Sequence, residues 1–284
     1  MRSFGGISYS LLTLANLLSP QDIIYPVFGI GPAEYDEFLQ LIGRHKNIDP
    51  SGIFTLKGPT NHVHLWYSES GGGRTECSKD ISPAIPFDQI KPFLGVNGIL
   101  INMVSGFDIT LDTLDHIRME TRDRGVPIHF DFHSLTLGVD QEAKRFRRPL
   151  TDWRRWCFMI DSVQMSEEEA NGLTAERFNE ETLINHLMPL MIKAFVITRG
   201  SRGATLITQH AKKLERHEIP AIDIQGSADP TGCGDVFGAA FFAHFLKDHD
   251  YRTAAVFANE VAGQKAAFSG LEGLDRISDA FSFA

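Results

Sequence analysis

The 284-residue chain is 43% hydrophobic and 22% charged, the proportions of an ordinary globular protein long enough to bury a core. Its 27 basic residues against 36 acidic ones leave a net charge of −9, which disfavours nucleic acid and anionic membrane as partners. Three widely spaced cysteines (Cys77, Cys157 and Cys233) without CxxC or zinc spacing exclude a disulfide framework and fit a reducing, cytoplasmic compartment, and no apolar run approaches the roughly 18 residues of a membrane span.

The N-terminal stretch has one arginine and an apolar run, but its glycines precede that run and no small-residue cleavage site follows, so no secretory leader is expected. Gly29-Ile30-Gly31 with Glu34 imitates half of a dinucleotide fingerprint whose third glycine is missing. From Gly52 to Glu76 the chain reads as antiparallel strands: Ile53–Leu56, then Val63–Tyr67, with Gly71-Gly72-Gly73 turning into Arg74-Thr75-Glu76. Such an insertion reads as a lid over residues 52–78, leaving 1–51 and 79–284 as the catalytic α/β domain. His62, His64, Trp66 and Tyr67 give the lid aromatic surface, and Arg74 could meet an anionic acceptor. The exposed lid edge offers a route to a homodimer.

Beyond the lid, Ile99–Asn102 is a short apolar strand, and Leu111–Thr121 has helical spacing. Gly125 closes that helix before the strand Val126–Asp131. His129, Asp131 and His133 alternate along this strand, so all three would face one side, as metal ligands or as polar contacts of a cleft. Lys144-Arg145-Phe146-Arg147-Arg148 reads as a solvated loop. Ser166-Glu167-Glu168-Glu169 has the form of a capping box. A helix through Leu183–Met191 precedes the buried strand Ala194–Thr198, after which Gly200 and Gly203 allow a tight loop. Apolar helices follow over Val236–Leu246 and Ala254–Ala267. This alternation predicts a three-layer α/β/α fold with a mostly parallel central sheet.

Asp229-Pro230-Thr231-Gly232-Cys233-Gly234-Asp235 is the most informative stretch. Two glycines around a small residue let the backbone approach an anion and aim several N–H groups at one spot. The helix that follows adds about half a positive charge there. An acid at the same helix start is kept ionised by those dipoles and can take a proton from a hydroxyl attacking a phosphoryl group. No G-x-x-x-x-G-K-S/T phosphate loop occurs.

This heptad and the helix after it resemble the C-terminal D-T-x-G-A-G-D signature of the ribokinase (PfkB) family of carbohydrate kinases, with Cys233 in place of the usual Ala. The resemblance implies that Asp235 is the catalytic base and that the amides of Gly232, Cys233 and Gly234 form the anion hole. Asp229 and Thr231 match positions that contribute, in some members, to a monovalent-cation site for K⁺. Thr198, Gly200 and Gly203 resemble the family's loop beside the nucleotide phosphates, and Asn259 stands where the family places adenine-side contacts. Ser166 to Glu169 resembles the N-x-x-E element that organises Mg²⁺, with Ser for Asn and Glu169 acting indirectly. Gly5 and Gly6 with Ser10 resemble the N-terminal signature near the acceptor, again with Ser for Asn, and Asp131 with His133 matches D-x-N at the acceptor cleft. Members usually carry a further strand and a substrate-binding Asp before these glycines, so the resemblance implies either a start placed too late or loss of part of the acceptor site.

The expected activity is transfer from ATP·Mg²⁺ to a primary hydroxyl of a small sugar. The alternatives are a nucleoside kinase of the same family, a nucleotide-binding homologue without catalysis, and a metallohydrolase built on His129 and His133.

Overall fold

The computed structural model describes residues 4–67, 74–210, 213–223 and 229–277. Helix α1 (Ile7–Leu17) leads to β1 (Phe28–Ile30), α2 (Pro32–Ile42), β2 (Ile53–Thr55) and the hairpin of β3 (His62–Tyr67) and β4 (Arg74–Lys79). Next come α3 (Phe87–Ile90), β5 (Ile99–Asn102), α4 (Leu111–Thr121), β6 (Ile128–Asp131), β7 (Leu137–Val139) and β8 (Arg145–Arg147). The remainder comprises α5 (Trp153–Phe158), β9 (Ser162–Ser166), α6 (Glu167–Gly172), α7 (Glu180–Leu187), β10 (Ala194–Thr198), β11 (Ala204–His210), β12 (Lys213–Ile219), α8 (Cys233–Asp248) and α9 (Tyr251–Ala266).

The main sheet has the order β12-β11-β10-β9-β6-β5, with β5, β6, β9 and β10 parallel and β11 and β12 antiparallel. Successive strand residues point to opposite faces, so β10 feeds two cores at once. Ala194 and Val196 pack with α1, α8 and α9, while Phe195 and Ile197 pack with residues of α4, α5 and α7. Helices therefore cover both faces, and the fold is the three-layer α/β/α arrangement expected. Buried on both sides, β10 reads as a nearly continuous apolar run, whereas β6 and β9 interleave His129, Ser162 and Gln164 with apolar residues. Helix α8 buries Val236 through Ala243 without a polar break, because it lies between the sheet and its neighbours α1 and α9. No described helix is long and apolar enough to cross a membrane.

Two sequence expectations change. The hairpin β3–β4 is antiparallel, with His62 opposite Lys79 and Tyr67 opposite Arg74. Ile53–Thr55, however, pairs in parallel with Phe28–Ile30, and a parallel pair needs a crossover, which α2 supplies. The Gly71-Gly72-Gly73 turn and the side chains of Trp66, Tyr67 and Arg74 lie outside the described residues. The basic cluster is solvated at Lys144, Phe146 and Arg147 but not at Arg145, which is buried in β8 and donates to Ser78 Oγ at 2.7 Å and to the Ser105 carbonyl at 2.8 Å. A bridge between Cys77 and Lys144 joins this pair of strands to the hairpin. Arg145 thereby fastens the end of the β3–β4 hairpin to the loop after β5.

Candidate active site

Register places chemistry at the C-terminal ends of the parallel strands, where connecting loops part and ligands bind. Asn102 lies beside Asp131, Asp131 beside Gln164, and Ser166 beside Thr198. Over this row stands the first turn of α8. Gly232, its N-cap, has φ +81°, and a Cβ there would lie 2.6 Å from the Tyr9 ring. The Asp229 amide donates to the Ala266 carbonyl at 2.9 Å, pinning the turn to the end of α9. Asp229 Oδ1 accepts the Thr231 amide, also at 2.9 Å.

The turn differs from expectation at one amide. Cys233 N–H donates to the Pro230 carbonyl at 3.2 Å, leaving the amides of Gly232 and Gly234 without an acceptor among the described residues. The Cys233 thiol faces the Asp229 carbonyl at 3.6 Å. Burial, only partly opposed by Lys265, and the carboxylates of Asp229 and Asp235 push that thiol up to about 11, so it is a neutral packing group.

Asp235 is 6% exposed. Asn102 Nδ2 donates to its Oδ1 at 2.7 Å and to Ser10 Oγ at 3.2 Å. Ser10, buried in α1, donates in turn to the Asp235 backbone carbonyl at 3.3 Å. Gln164 Nε2 donates to the Gly234 carbonyl at 2.9 Å and lies 3.4 Å from Asp131 Oδ2. A helix start is thus braced from β5, β9 and α1. Ser10, expected at the acceptor, is instead turned to Asp235 and Asn102. Asn102 and Gln164 were not singled out from sequence. The available signal was a polar residue near the C-terminal end of an apolar parallel strand.

The alternation expected for His129, Asp131 and His133 fails because β6 ends at Asp131 and His133 enters a turn with φ +37°. His129 is a core residue: its Nδ1 lies 2.8 Å from Ser162 Oγ, its ring stacks on Phe242, and burial drives its pKa down to about 3. The metallohydrolase pair of His129 and His133 does not exist. The group that joins Asp131 and His133 is Asp235, with ligand atoms of all three within 4.8 Å of one another. Burial raises Asp131 well above the carboxylate range, with Glu169 and Asp235 reinforcing it against the opposing His133 charge. Burial likewise raises Glu169, again opposed by His133. For His133, burial works downward, but the charges of Asp235, Asp131, Glu169 and Glu76 outweigh it and its pKa rises. One histidine is thus held among four acidic groups, two of which burial pushes toward the neutral form.

A pH dependence follows. Because the folded pKa of His133 is above 6.5, its stabilising contribution is complete below pH 6.5 and is lost as pH rises through the folded value. His133→Asn, which tolerates the positive φ, should flatten the decline of unfolding free energy above pH 6.5. Parallel denaturant profiles for the two proteins would contradict this.

A single cleft connects these groups. Its lining includes Gly5, Gly6, Ser10 and His133, Thr198, Gly200, Gly203 and Asn259, and Asp229 to Asp235. Asp131, 4% exposed, is not among its lining residues. Asn259 Nδ2 donates to the Pro220 carbonyl at 2.9 Å, tying α9 to the chain leaving β12.

Residues 143–272 match the sequence profile of the pfkB family carbohydrate kinase. That span contains the Asp229–Asp235 turn, the Thr198 loop and Glu169. Over that span the chain is similar to PfkB-family carbohydrate kinases. It is 23% identical over 261 residues to a ribokinase of Arabidopsis thaliana, covering 84% of this chain and 62% of that protein. It is 31% identical over 90 residues to a nucleoside kinase of Methanocaldococcus jannaschii, covering 30% of this chain and 28% of that one. The chain therefore spans less than two thirds of either relative. The structure of Arabidopsis thaliana ribokinase complexed with ribose and ATP shares the fold, with a TM-score of 0.73 at 17% identity over 98% of this chain and 86% of that one.

Members of this family are phosphotransferases with an alcohol acceptor, and the residues here can be tested against the groups such chemistry uses. Glu169 fits an indirect Mg²⁺ role: its Oε2 accepts the Ser166 amide at 2.7 Å, which fixes the carboxyl beside the row of strand ends. Asp229 and Thr231 do not fit a K⁺ site. The Asp229 carboxylate already lies in the field of the buried Lys265 ammonium, which helps to hold its pKa down, so a cationic charge is present at the turn without an ion.

Proposed function

We propose that this protein transfers the terminal phosphoryl group of ATP to a primary hydroxyl of a small sugar, with Asp235 as general base. The observation that carries the reading is the position of Asp235: a carboxylate on the first turn of α8, hydrogen-bonded by Asn102, beside the unengaged amides of Gly232 and Gly234. The acceptor hydroxyl gives its proton to Asp235 as its oxygen bonds to the γ-phosphorus, and the bond to the β–γ bridging oxygen breaks to release ADP. The amides of Gly232 and Gly234 hold the phosphoryl oxygens as charge redistributes. Mg²⁺, organised through Glu169, would offset phosphate charge. The Thr198, Gly200 and Gly203 loop with Asn259 receives the nucleotide; Gly5, Gly6 and His133 receive the acceptor, with Asp131 buried beside His133. The β3–β4 hairpin acts as the lid that excludes water.

The free cysteines and the absence of a spanning helix among the described residues are compatible with a cytoplasmic setting, and pairing through the lid edge with homodimerisation. The test is a coupled assay for ADP release against pentoses, hexoses and nucleosides. We expect turnover with a sugar. Turnover confined to nucleosides would move the acceptor to that class, and ATP binding without turnover on any acceptor would leave a non-catalytic homologue.

A further inference from the structure

Lys265 is the largest charged side chain fully removed from solvent, at 0% exposure. A buried ammonium is costly unless its surroundings repay the lost hydration. Among the described residues its Nζ has one hydrogen-bond acceptor, the Phe268 carbonyl at 2.9 Å. Its other neighbours are ring faces, with Nζ 5.1 Å from the Phe268 centroid and 5.5 Å from that of Tyr9. It stands in the last turn of α9, where the helix dipole favours a cation.

The place of this charge is informative. Tyr9 is the ring against which Gly232 is seated. Ala266, next in sequence to Lys265, accepts the amide of Asp229. The ammonium is therefore enclosed by the same residues that support the phosphate-binding turn from behind. It also acts electrostatically on that turn. Against burial, hydrogen bonds from Thr231 and Ser269 and the Lys265 charge together hold the Asp229 carboxyl below the usual range. No carboxylate lies within ion-pair distance of Nζ among the described residues, so its field is not cancelled by a salt bridge.

We propose that Lys265 is a tethered monovalent cation: its ammonium supplies from within the chain the positive charge behind the Gly232–Asp235 turn that a K⁺ ion would otherwise bring, so phosphoryl transfer here needs no added K⁺. The proposal rests on the kinase reading above and explains why Asp229 and Thr231 do not form an ion site. Lys265 touches no reacting atom; it is a positioning residue acting through the turn.

The experiment uses the full chain and measures ATP·Mg²⁺ binding by calorimetry, and transfer, in KCl and in choline chloride at equal ionic strength. The wild-type protein should give the same affinity and turnover in both salts. Lys265→Ala should lose roughly ten- to a hundredfold in turnover in choline chloride, the range one unit charge several ångströms away supplies at an effective dielectric of about 20. It should recover both turnover and ATP affinity in KCl or methylammonium chloride, because the vacated space admits a small cation. Lys265→Met, which keeps the volume, should show the loss without the recovery. Activation of the wild-type protein by K⁺, or an equal loss by Lys265→Ala in every salt, would overturn the proposal. If Lys265→Ala fails to fold, the wild-type comparison and Lys265→Met decide: undiminished turnover in the latter is fatal. ATP binding to wild type that requires K⁺ sinks this proposal alone, whereas no ATP binding in either salt sinks it together with the kinase reading.

Discussion

Asp235→Asn should lower turnover by about 10²–10⁴, the usual contribution of a general base, while ATP·Mg²⁺ binding remains intact. The substitution keeps shape and one carbonyl oxygen, so Asn102 retains an acceptor where Oδ1 now lies at 2.7 Å. What disappears is the capacity to take a proton and the negative charge on the first turn of α8. That charge is also a structural asset, since an acid there interacts with the helix dipole for about 0.3–1 kcal/mol. A purely structural Asp235 would therefore show a melting temperature lowered by a few degrees and an unchanged transfer rate. A base shows the reverse pattern, a collapsed single-turnover rate with little change in melting. Single-turnover kinetics beside calorimetric binding separate the two, and a rate within threefold of wild type would remove Asp235 from the chemistry.

The parts of this site that were legible in the sequence are those made by contiguous residues. The Asp229–Asp235 turn announces itself because glycine spacing, an acid and an apolar helix follow one another without interruption. The bounds of Leu111–Thr121 and Ala194–Thr198 were equally readable, since burial pattern and end residues agree there. Residues whose role depends on strand register were not. Asn102 and Gln164 come to flank Asp131, itself singled out in the sequence, only because β5, β6 and β9 pair as they do. A period-two reading carried past the end of β6 grouped His129 with His133, whereas the chain turns at His133 and sends it to Asp235 instead. Arg145 and Lys265 were hidden for a related reason. A charged residue in a basic run, or on an Ala-rich helix, looks solvated until the layers around it are known. Long aliphatic stems make such burial feasible where a carbonyl or ring face meets the charged end.

The two glycines of the Thr198 loop look equivalent in sequence but should respond very differently to alanine. Gly200 has φ +58° with open space where a Cβ would stand, so Gly200→Ala meets only the left-handed penalty of about 1–2 kcal/mol. Gly203 has φ +91° and ψ −134°, a region that side chains rarely adopt. A Cβ on it would lie 2.0 Å from the Ile219 carbonyl oxygen and 2.6 Å from the Ala221 amide nitrogen. Both are backbone atoms, so no side chain can rotate away, and relief requires the end of β12 to separate from the start of β11. Adding backbone strain of about 1–3 kcal/mol to overpacking of similar size gives roughly 2–6 kcal/mol, a large share of a stability of about 5–15 kcal/mol. The disturbance would also travel to the cleft. Arg199 donates its amide to the Gly203 carbonyl at 2.8 Å, and Pro220, beside the displaced atoms, accepts from Asn259. Gly203→Ala should therefore lower the melting temperature several times more than Gly200→Ala and weaken ATP binding in whatever protein remains folded. Equal melting shifts for the two variants would mean that the loop relaxes freely and does not depend on Gly203 to hold this side of the cleft in place.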